Sequence, residues 1–309
     1  MNPSSLRHIT LGKRLFREDG DLLDYDRART RLEKEMRACR MCPVACGARR
    51  ADGERGACRV DDRVVVSSAF LHYGEEDVLV GIGGSGTIFL AGCNLHCVYC
   101  QNHDISQRVS GRVADEEDLV ATMLALQRRG AHNINFVSPT HFSYQLLCAV
   151  IRAREEGLKV PVVWNSGGYD SPETLAALDG WIEIYMPDAK YADAEMARRY
   201  SGVEHYPDVM KAALREMHRQ VGDLDAPGGI AVRGLLVRHL VLPGDISGAR
   251  DVVDFLAEEI SENTYLNLMA QYRPCHRARR YPELNRGIDR DRFLRLRDHA
   301  LSRGLRLAR

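Results

Sequence analysis

The sequence predicts an α/β protein of six βα units, and three features point to it. From about Gly86 onward, short apolar or β-branched runs alternate with helical patterns. The helical stretches start and stop on recognisable end signals, and a polar signature stands wherever an apolar run ends. The runs are GTIFLAG from Gly86, NINFVS from Asn133, PVVWNS from Pro161, WIEIYMPD from Trp181, GLLVRHLVLP from Gly234 and TYLNLMAQY from Thr264. Each is apolar enough to be covered on both faces, as parallel strands are.

Between the runs, DEEDLVATMLALQRRG begins acidic and stops at Gly130, and FSYQLLCAVIRAREEG stops at Gly157. SPETLAAL offers Ser171 as N-cap with Pro172 at the first helical position, and SGARDVVDFLAEEIS follows Pro243. A further helix around Asp208 to Val221 precedes the connector DLDAPGG. Local pattern leaves two architectures open, an open doubly wound sheet or part of a (β/α) barrel. Both gather chemistry at the C-terminal strand ends, where GCNLHC, SPTH, NSGG, PDAK, LPGD and QYRP stand.

Of the 309 residues 45% are hydrophobic and 28% charged, which fits a globular chain with one sizeable core and excludes disorder. Lys plus Arg balance Asp plus Glu at 43 each, so the global charge asks for neither nucleic acid nor an anionic membrane. No apolar run reaches transmembrane length and MNPSSLRHIT lacks a signal-peptide core, so the expected location is cytoplasmic. Positive charge is concentrated at the end: from Arg273 to Arg309 there are twelve Arg against four acidic residues. That segment reads either as a solvated helix with Phe293, Leu296 and Ala300 on its apolar face, or as a docking surface for an acidic partner.

The expected division is an N-terminal helix, near Arg27 to Arg37, with a cysteine-rich segment over 1–78. A βα core over 79–276 and a basic helical segment over 277–309 complete it. The strand-like VVVSSAFLHY closes the first of these.

Seven of the nine cysteines fall in two groups, Cys39, Cys42, Cys46, Cys58 and Cys93, Cys97, Cys100. Such clustering in a reducing compartment points to metal ligation or redox chemistry rather than disulfides. GCNLHCVYCQN puts three thiolates in one loop directly after an apolar strand. Three thiolates hold three irons of a [4Fe-4S] cluster and leave the fourth open to an exchangeable ligand, whereas a closed zinc site needs a fourth ligand from elsewhere.

This CxxxCxxC loop, with Tyr99 before its last cysteine, resembles the radical S-adenosylmethionine (SAM) superfamily. GAHNINFVSPTHF, VVWNSGGY, MPDAKY, RHLVLPG and LMAQYRP extend the likeness along nearly the whole chain to PflX-type proteins, relatives of the pyruvate formate-lyase activating enzymes. The resemblance implies a partial (β/α)6 barrel of the radical SAM type with a small Cys-rich N-terminal segment. It also implies a [4Fe-4S] cluster on Cys93, Cys97 and Cys100, bound SAM, reductive cleavage to a 5'-deoxyadenosyl radical, and a flavodoxin- or ferredoxin-type reductant.

Carried over position by position, Tyr99 packs near the adenine, and Ser138, Pro139 and Thr140 stand where other members have a Gly-rich turn for the SAM amino group. Asn165 and Ser166 suit the ribose hydroxyls or the carboxylate. Asp188 and Lys190 match an Asp-x-Lys at the fourth strand end, and Arg238 offers a cation from the fifth strand. His132, His141, His239 and His276 are read as packing or hydrogen-bonding residues.

Cys39, Cys42, Cys46 and Cys58 make one closed metal site, either an auxiliary [4Fe-4S] cluster, whose charge Arg49, Arg50 and Arg55 offset, or zinc. Two functions of different class follow. One is a radical SAM enzyme acting on a glycyl radical protein or another substrate, and the other is an iron-sulfur electron-transfer or carrier protein on the same scaffold.

Overall fold

The computed structural model describes residues 15–16, 22–23 and 25–308. Helix α1 is Tyr25–Arg37. The elements that follow are β1 Val64–His72, β2 Ser85–Leu90, β3 Arg112–Ala114, α2 Glu116–Arg128, β4 Ile134–Val137 and α3 Ser143–Glu155. Then come β5 Val162–Ser166, α4 Pro172–Ala177, β6 Ile184–Pro187, α5 Ala194–Ser201 and α6 Tyr206–Val221. The chain ends with β7 Gly234–Leu240, α7 Ala249–Phe255, β8 Tyr265–Met269, α8 Arg290–Ser302 and β9 Arg306–Leu307.

One sheet runs β9-β8-β7-β6-β5-β4-β2-β1-β3. The six expected strands are β2, β4, β5, β6, β7 and β8, and consecutive members pair in parallel. Their spatial order equals their sequence order. A doubly wound sheet reverses direction partway, whereas crossovers of one hand in unbroken order keep the helices on one face and curl the sheet. β1 turns antiparallel onto β2 and β3 onto β1, while β9 extends the far edge. The sheet is therefore a partial barrel, curled but not closed.

Alternation along each strand divides the apolar residues between two faces. Ile88, Phe136, Trp164, Tyr185, Leu235, Val237 and Leu266 join the main core with the helices. Val163, Ile184, Met186, Leu236 and Tyr265 form a smaller cluster on the concave face, sealed by Leu79, Leu224 and Ala231.

Helix ends follow their sequence signals with one difference. Asp115 caps α2, its carboxylate accepting from Asp118 N–H at 2.8 Å. Ser171 precedes α4 as expected, but its hydroxyl donates to Glu173 Oε2 at 2.6 Å instead of accepting from the helix backbone. On α8 the expected face is the least exposed one, with Ala300 fully buried and Phe293 and Leu296 partly so. Among the described residues no helix is long and apolar enough to cross a membrane.

Candidate functional site

Strand β2 ends at Leu90, and Ala91 and Gly92 lead into the cysteine loop. Gly92 has φ +85°, and a Cβ there would lie 2.7 Å from the Cys58 carbonyl oxygen, so this tight passage requires glycine. The loop is fastened on several sides. Asn94 Nδ2 donates to Tyr169 O at 2.6 Å, and His96 and Val98 N–H donate to Ser201 and Tyr200 carbonyls at 3.2 and 2.8 Å. Arg277 N–H donates to Val98 O at 2.8 Å, and Gln107 Nε2 to Cys97 O at 3.1 Å.

Cys97 is buried and Cys93 and Cys100 are partly buried. Donors point at their sulfurs: Leu95 N–H at 3.4 Å from Cys93 Sγ and the Ser201 hydroxyl at 3.0 Å from Cys97 Sγ, while Cys100 Sγ and Ser106 Oγ lie 3.3 Å apart. Burial pushes the Cys93 thiol up to about 12, helped by its neighbours Cys97 and Cys100. Burial also raises Cys97, against the pull of the Lys190 ammonium. Cys93 and Cys97, packed this way, become anions together only with a cation close by. The donor set therefore fits a metal-sulfur centre.

Beside the loop, the ends of β5, β6 and β7 converge in a buried charge network. Asp188 receives Lys190 Nζ at 2.5 Å and Arg238 Nε at 2.9 Å. Arg238 also donates to Asn165 Oδ1 at 2.7 Å and approaches Glu75 Oε2 at 3.4 Å. Burial alone would raise the Asp188 carboxyl, but Arg238 and Lys190 outweigh it and hold it below the usual range. Burial likewise opposes the charge on Lys190, and Asp188 and Cys97 more than restore it. The Tyr206 hydroxyl ties the strand ends together, accepting from Lys190 N–H at 2.9 Å within reach of the Gly167 and Asp188 carbonyls at 2.8 and 2.7 Å.

Four of the expected cofactor residues, Asn165, Asp188, Lys190 and Arg238, thus meet at one place. Thr140 and Ser166 meet at another, where both hydroxyls donate to the buried carboxylate of Asp170, at 2.7 and 2.5 Å. Ser138 adopts φ +58°, the conformation glycine supplies without strain, and its N–H donates to Asn165 O at 2.9 Å. The departure from a Gly-rich turn is thereby absorbed by the backbone. Tyr99 is buried edge-on to Tyr191 and Tyr272, with ring centroids 6.3 and 6.2 Å away. Among the described residues, polar atoms without protein partners include both amide ends of the fully buried Asn135, on the β4 strand, and Glu76 Oε2, whose other oxygen accepts from Asn267 at 2.9 Å. Such groups, costly when buried alone, fit a pocket that takes a polar ligand.

Cys39, Cys42 and Cys58 are buried and Cys46 exposed. Gly56 lies against two of them, and a Cβ there would fall 3.2 and 3.4 Å from the Cys46 and Cys58 sulfurs. Fully buried Arg50 stands among them, and among the described residues no carboxylate pairs with it. Its guanidinium donates to Asp61 O at 2.7 Å and His141 O at 2.5 Å, and its Nη1 is 3.9 Å from Cys39 Sγ. Burial raises Cys58 against Arg50, and lifts Cys42 to about 12. For Cys46 burial is outweighed by Ala48 and Ala57 N–H groups and by Arg50, so its thiol is lowered. A buried cation with no carboxylate is costly unless anionic sulfur balances it, so this group fits a metal-thiolate centre too. As they stand, the side chains do not converge on one point: among the described residues no group of three or more His, Cys, Asp or Glu is arranged to hold a metal ion.

The two cysteine groups are neighbours. Cys58 O abuts Gly92, and His96 Nε2 lies 3.0 Å from Ala57 O. His141 joins them as well, its ring 2.9 Å from Ala91 O and its carbonyl on Arg50. Three of the strand-end histidines, His132, His141 and His239, hold structure. Burial pushes His141 down to about 3 and His239 down to about 4. His239 bridges Ala189 O and Ser247 Oγ, and His132 Nε2 accepts from Gly83 N–H.

Residues 87–230 match the radical SAM superfamily. Over 259 residues the chain is 33% identical to the uncharacterized protein MJ0674 of Methanocaldococcus jannaschii, covering 81% of this chain and 70% of that protein. Among solved structures, Streptococcus suis SuiB bound to precursor peptide SuiA aligns with a TM-score of 0.49 at 13% identity, over 70% of this chain and 46% of that one. Methylornithine synthase (PylB) aligns with a TM-score of 0.43 at 16% identity, over 94% of this chain and 82% of that one. The chain spans less than half the length of the SuiB chain it matches. The protein belongs to the radical SAM superfamily, and is an enzyme of that type, with the [4Fe-4S] cluster and SAM binding that the family implies.

Buried His239 gives a pH dependence whose sign is fixed. Its folded pKa, about 4, lies below the unfolded value near 6.5, so its contribution is complete above 6.5 and is lost as the pH falls toward 4. Between about pH 7 and pH 5 this amounts to about 2 kcal/mol. Urea titrations across that window should show wild type losing more stability than His239→Gln by roughly this amount, and equal losses would contradict the buried neutral imidazole.

Proposed function

We propose that Cys93, Cys97 and Cys100 hold the catalytic [4Fe-4S] cluster and that SAM lies along Asn165, Asp188, Lys190 and Arg238. The observation that carries this reading is the convergence of three enclosed thiols, with donors aimed at sulfur, beside the Asp188–Lys190–Arg238 network. Bound there, the cluster and SAM supply reductive cleavage of the sulfonium and a 5'-deoxyadenosyl radical. Asp188, kept ionised by two cations, and Lys190 and Arg238 present both signs of charge, which suits an amino-carboxylate group. Asn165 spends its oxygen on Arg238, so its Nδ2 hydrogens serve a ligand carboxylate or hydroxyl. Buried Tyr99 provides an aromatic wall for the adenine, as the family likeness suggests.

Thr140 and Ser166 act differently from the expected direct contacts: through Asp170 they fix the β4 and β5 ends that carry Ser138 and Asn165. Kinship with the pyruvate formate-lyase activating enzymes supports installation of a glycyl radical on a protein, with modification of another substrate as the alternative, and a flavodoxin- or ferredoxin-type reductant. Cys39, Cys42, Cys46 and Cys58 hold an auxiliary [4Fe-4S] cluster in this reading. Arg50 is its fixed countercharge, and zinc in the same thiolates is the competing assignment.

Reconstituted protein given SAM and dithionite should release 5'-deoxyadenosine, detected chromatographically, and Cys97→Ala should abolish it. Wild-type protein that forms none would contradict the proposal. Metal counting by mass spectrometry separates the two assignments of the second group: about eight irons per chain for two clusters, against about four irons with zinc. Cys58→Ser should remove the second complement and leave the first, and unchanged metal content would show that this group is not a ligand set.

A further inference from the structure

We propose that the basic face formed by Arg59, Arg108, Arg277 and Arg280 around the rings of His103 and His276 docks an acidic electron-carrier protein that reduces the centre held by Cys93, Cys97 and Cys100. The inference rests on the assignment of that centre above and adds where its electron enters.

The face is built onto the cysteine loop itself. Arg277 N–H bonds the Val98 carbonyl, and Arg59 Nη1 donates to Gln107 O at 2.6 Å while Gln107 Nε2 donates to Cys97 O. His103, three residues beyond Cys100, stacks on His276 with centroids 4.6 Å apart and planes at 24°. Arg59, Arg108 and Arg280 are exposed.

Positive charge there is poorly compensated. After burial, the charges that most depress His276 are His103, Arg277, Arg108 and Arg280. The ion-pairing carboxylate at this face is Asp104, 3.1 Å from Arg108 and 3.5 Å from His103. Some surface arginines elsewhere are paired, Arg152 with Glu156, Arg219 with Asp179 and Glu216, Arg303 with Asp254 and Glu258. In a chain of zero net charge this is a local excess. Arg59, Val109 and His276, at or beside this face, have φ of +71°, +54° and +49°.

The occupant follows from position and charge. The face meets the loop through the peptide groups of Cys97 and Val98, and among the described residues none of its arginines hydrogen-bonds Asp188, Lys190 or Arg238. A substrate must reach the strand ends, whereas an electron needs only closeness to the metal centre. One electron leaves the carrier's reduced cofactor and reduces the oxidised cluster, with no bond or proton exchanged. A basic face steers an acidic carrier and raises its association rate, an effect that salt screens.

The test compares wild type with Arg108→Glu/Arg280→Glu, neither residue belonging to the proposed cluster or SAM site. Binding of oxidised flavodoxin to the reconstituted protein is read by surface plasmon resonance at low and high salt. Cluster bleaching by reduced flavodoxin is read by stopped flow, with dithionite in parallel. Charge reversal should weaken flavodoxin binding and slow bleaching by about tenfold or more at low salt, and high salt should do likewise to wild type. Dithionite bleaching should be unchanged. Flavodoxin binding and bleaching that ignore both reversal and salt, or no flavodoxin reaction with a wild type that dithionite reduces, overturn the proposal and leave the face to an anionic substrate. Failure with dithionite as well would instead overturn the cluster assignment.

Discussion

Cys93, Cys97 and Cys100 occupy one enclosed loop, and burial makes it costly for Cys93 and Cys97 to ionise unless a cation lies close to them. Much of the surrounding structure serves that constraint. The loop is held by carbonyls of Tyr169, Tyr200 and Ser201 and by the Arg277 and Gln107 donors, so the thiols cannot disperse. The Ser201 hydroxyl and Leu95 N–H offer hydrogen bonds that suit sulfur as an anion rather than as a thiol.

The fold puts this loop where charge can be managed. Because the parallel strands lie in sequence order, their C-terminal ends form one rim, and Asn165, Asp188 and Arg238 come from three successive strands of it. Asp188 shields the two cations from each other while they keep it ionised, so both signs persist in a buried place. The second cysteine group repeats the logic with Arg50 as its cation, and the contacts of Cys58 with Gly92 and of His141 with both groups make the two a single unit.

Much of this was legible in the chain. Six apolar runs became six adjoining parallel strands because burial on both faces leaves a continuous apolar signature, and the polar ends of those runs marked the rim. Asp188, Lys190 and Arg238 were legible because charged residues at the end of a buried strand are conspicuous. In the sequence VVVSSAFLHY falls outside the βα rhythm, and its antiparallel pairing with β2 depends on a long-range contact that no local pattern records. Asp170, Ser201 and Tyr206 were missed for the same reason. Each is an ordinary helix- or loop-flanking residue until the fold brings it to Thr140 and Ser166, to Cys97, or to Lys190. The choice between doubly wound sheet and barrel also needed strand order. Arg50 was visible only as one of several arginines near the cysteines, and its complete burial singles it out.

The measurement that tests the central claim most directly is anaerobic EPR of the reduced, reconstituted protein before and after addition of SAM. A [4Fe-4S] signal that shifts on SAM binding, and disappears in Cys93→Ala, is the predicted result, because Cys93, Cys97 and Cys100 would hold three irons and leave the fourth open to SAM. Cluster signals of which none responds to SAM would contradict it and mark closed centres suited to electron transfer alone.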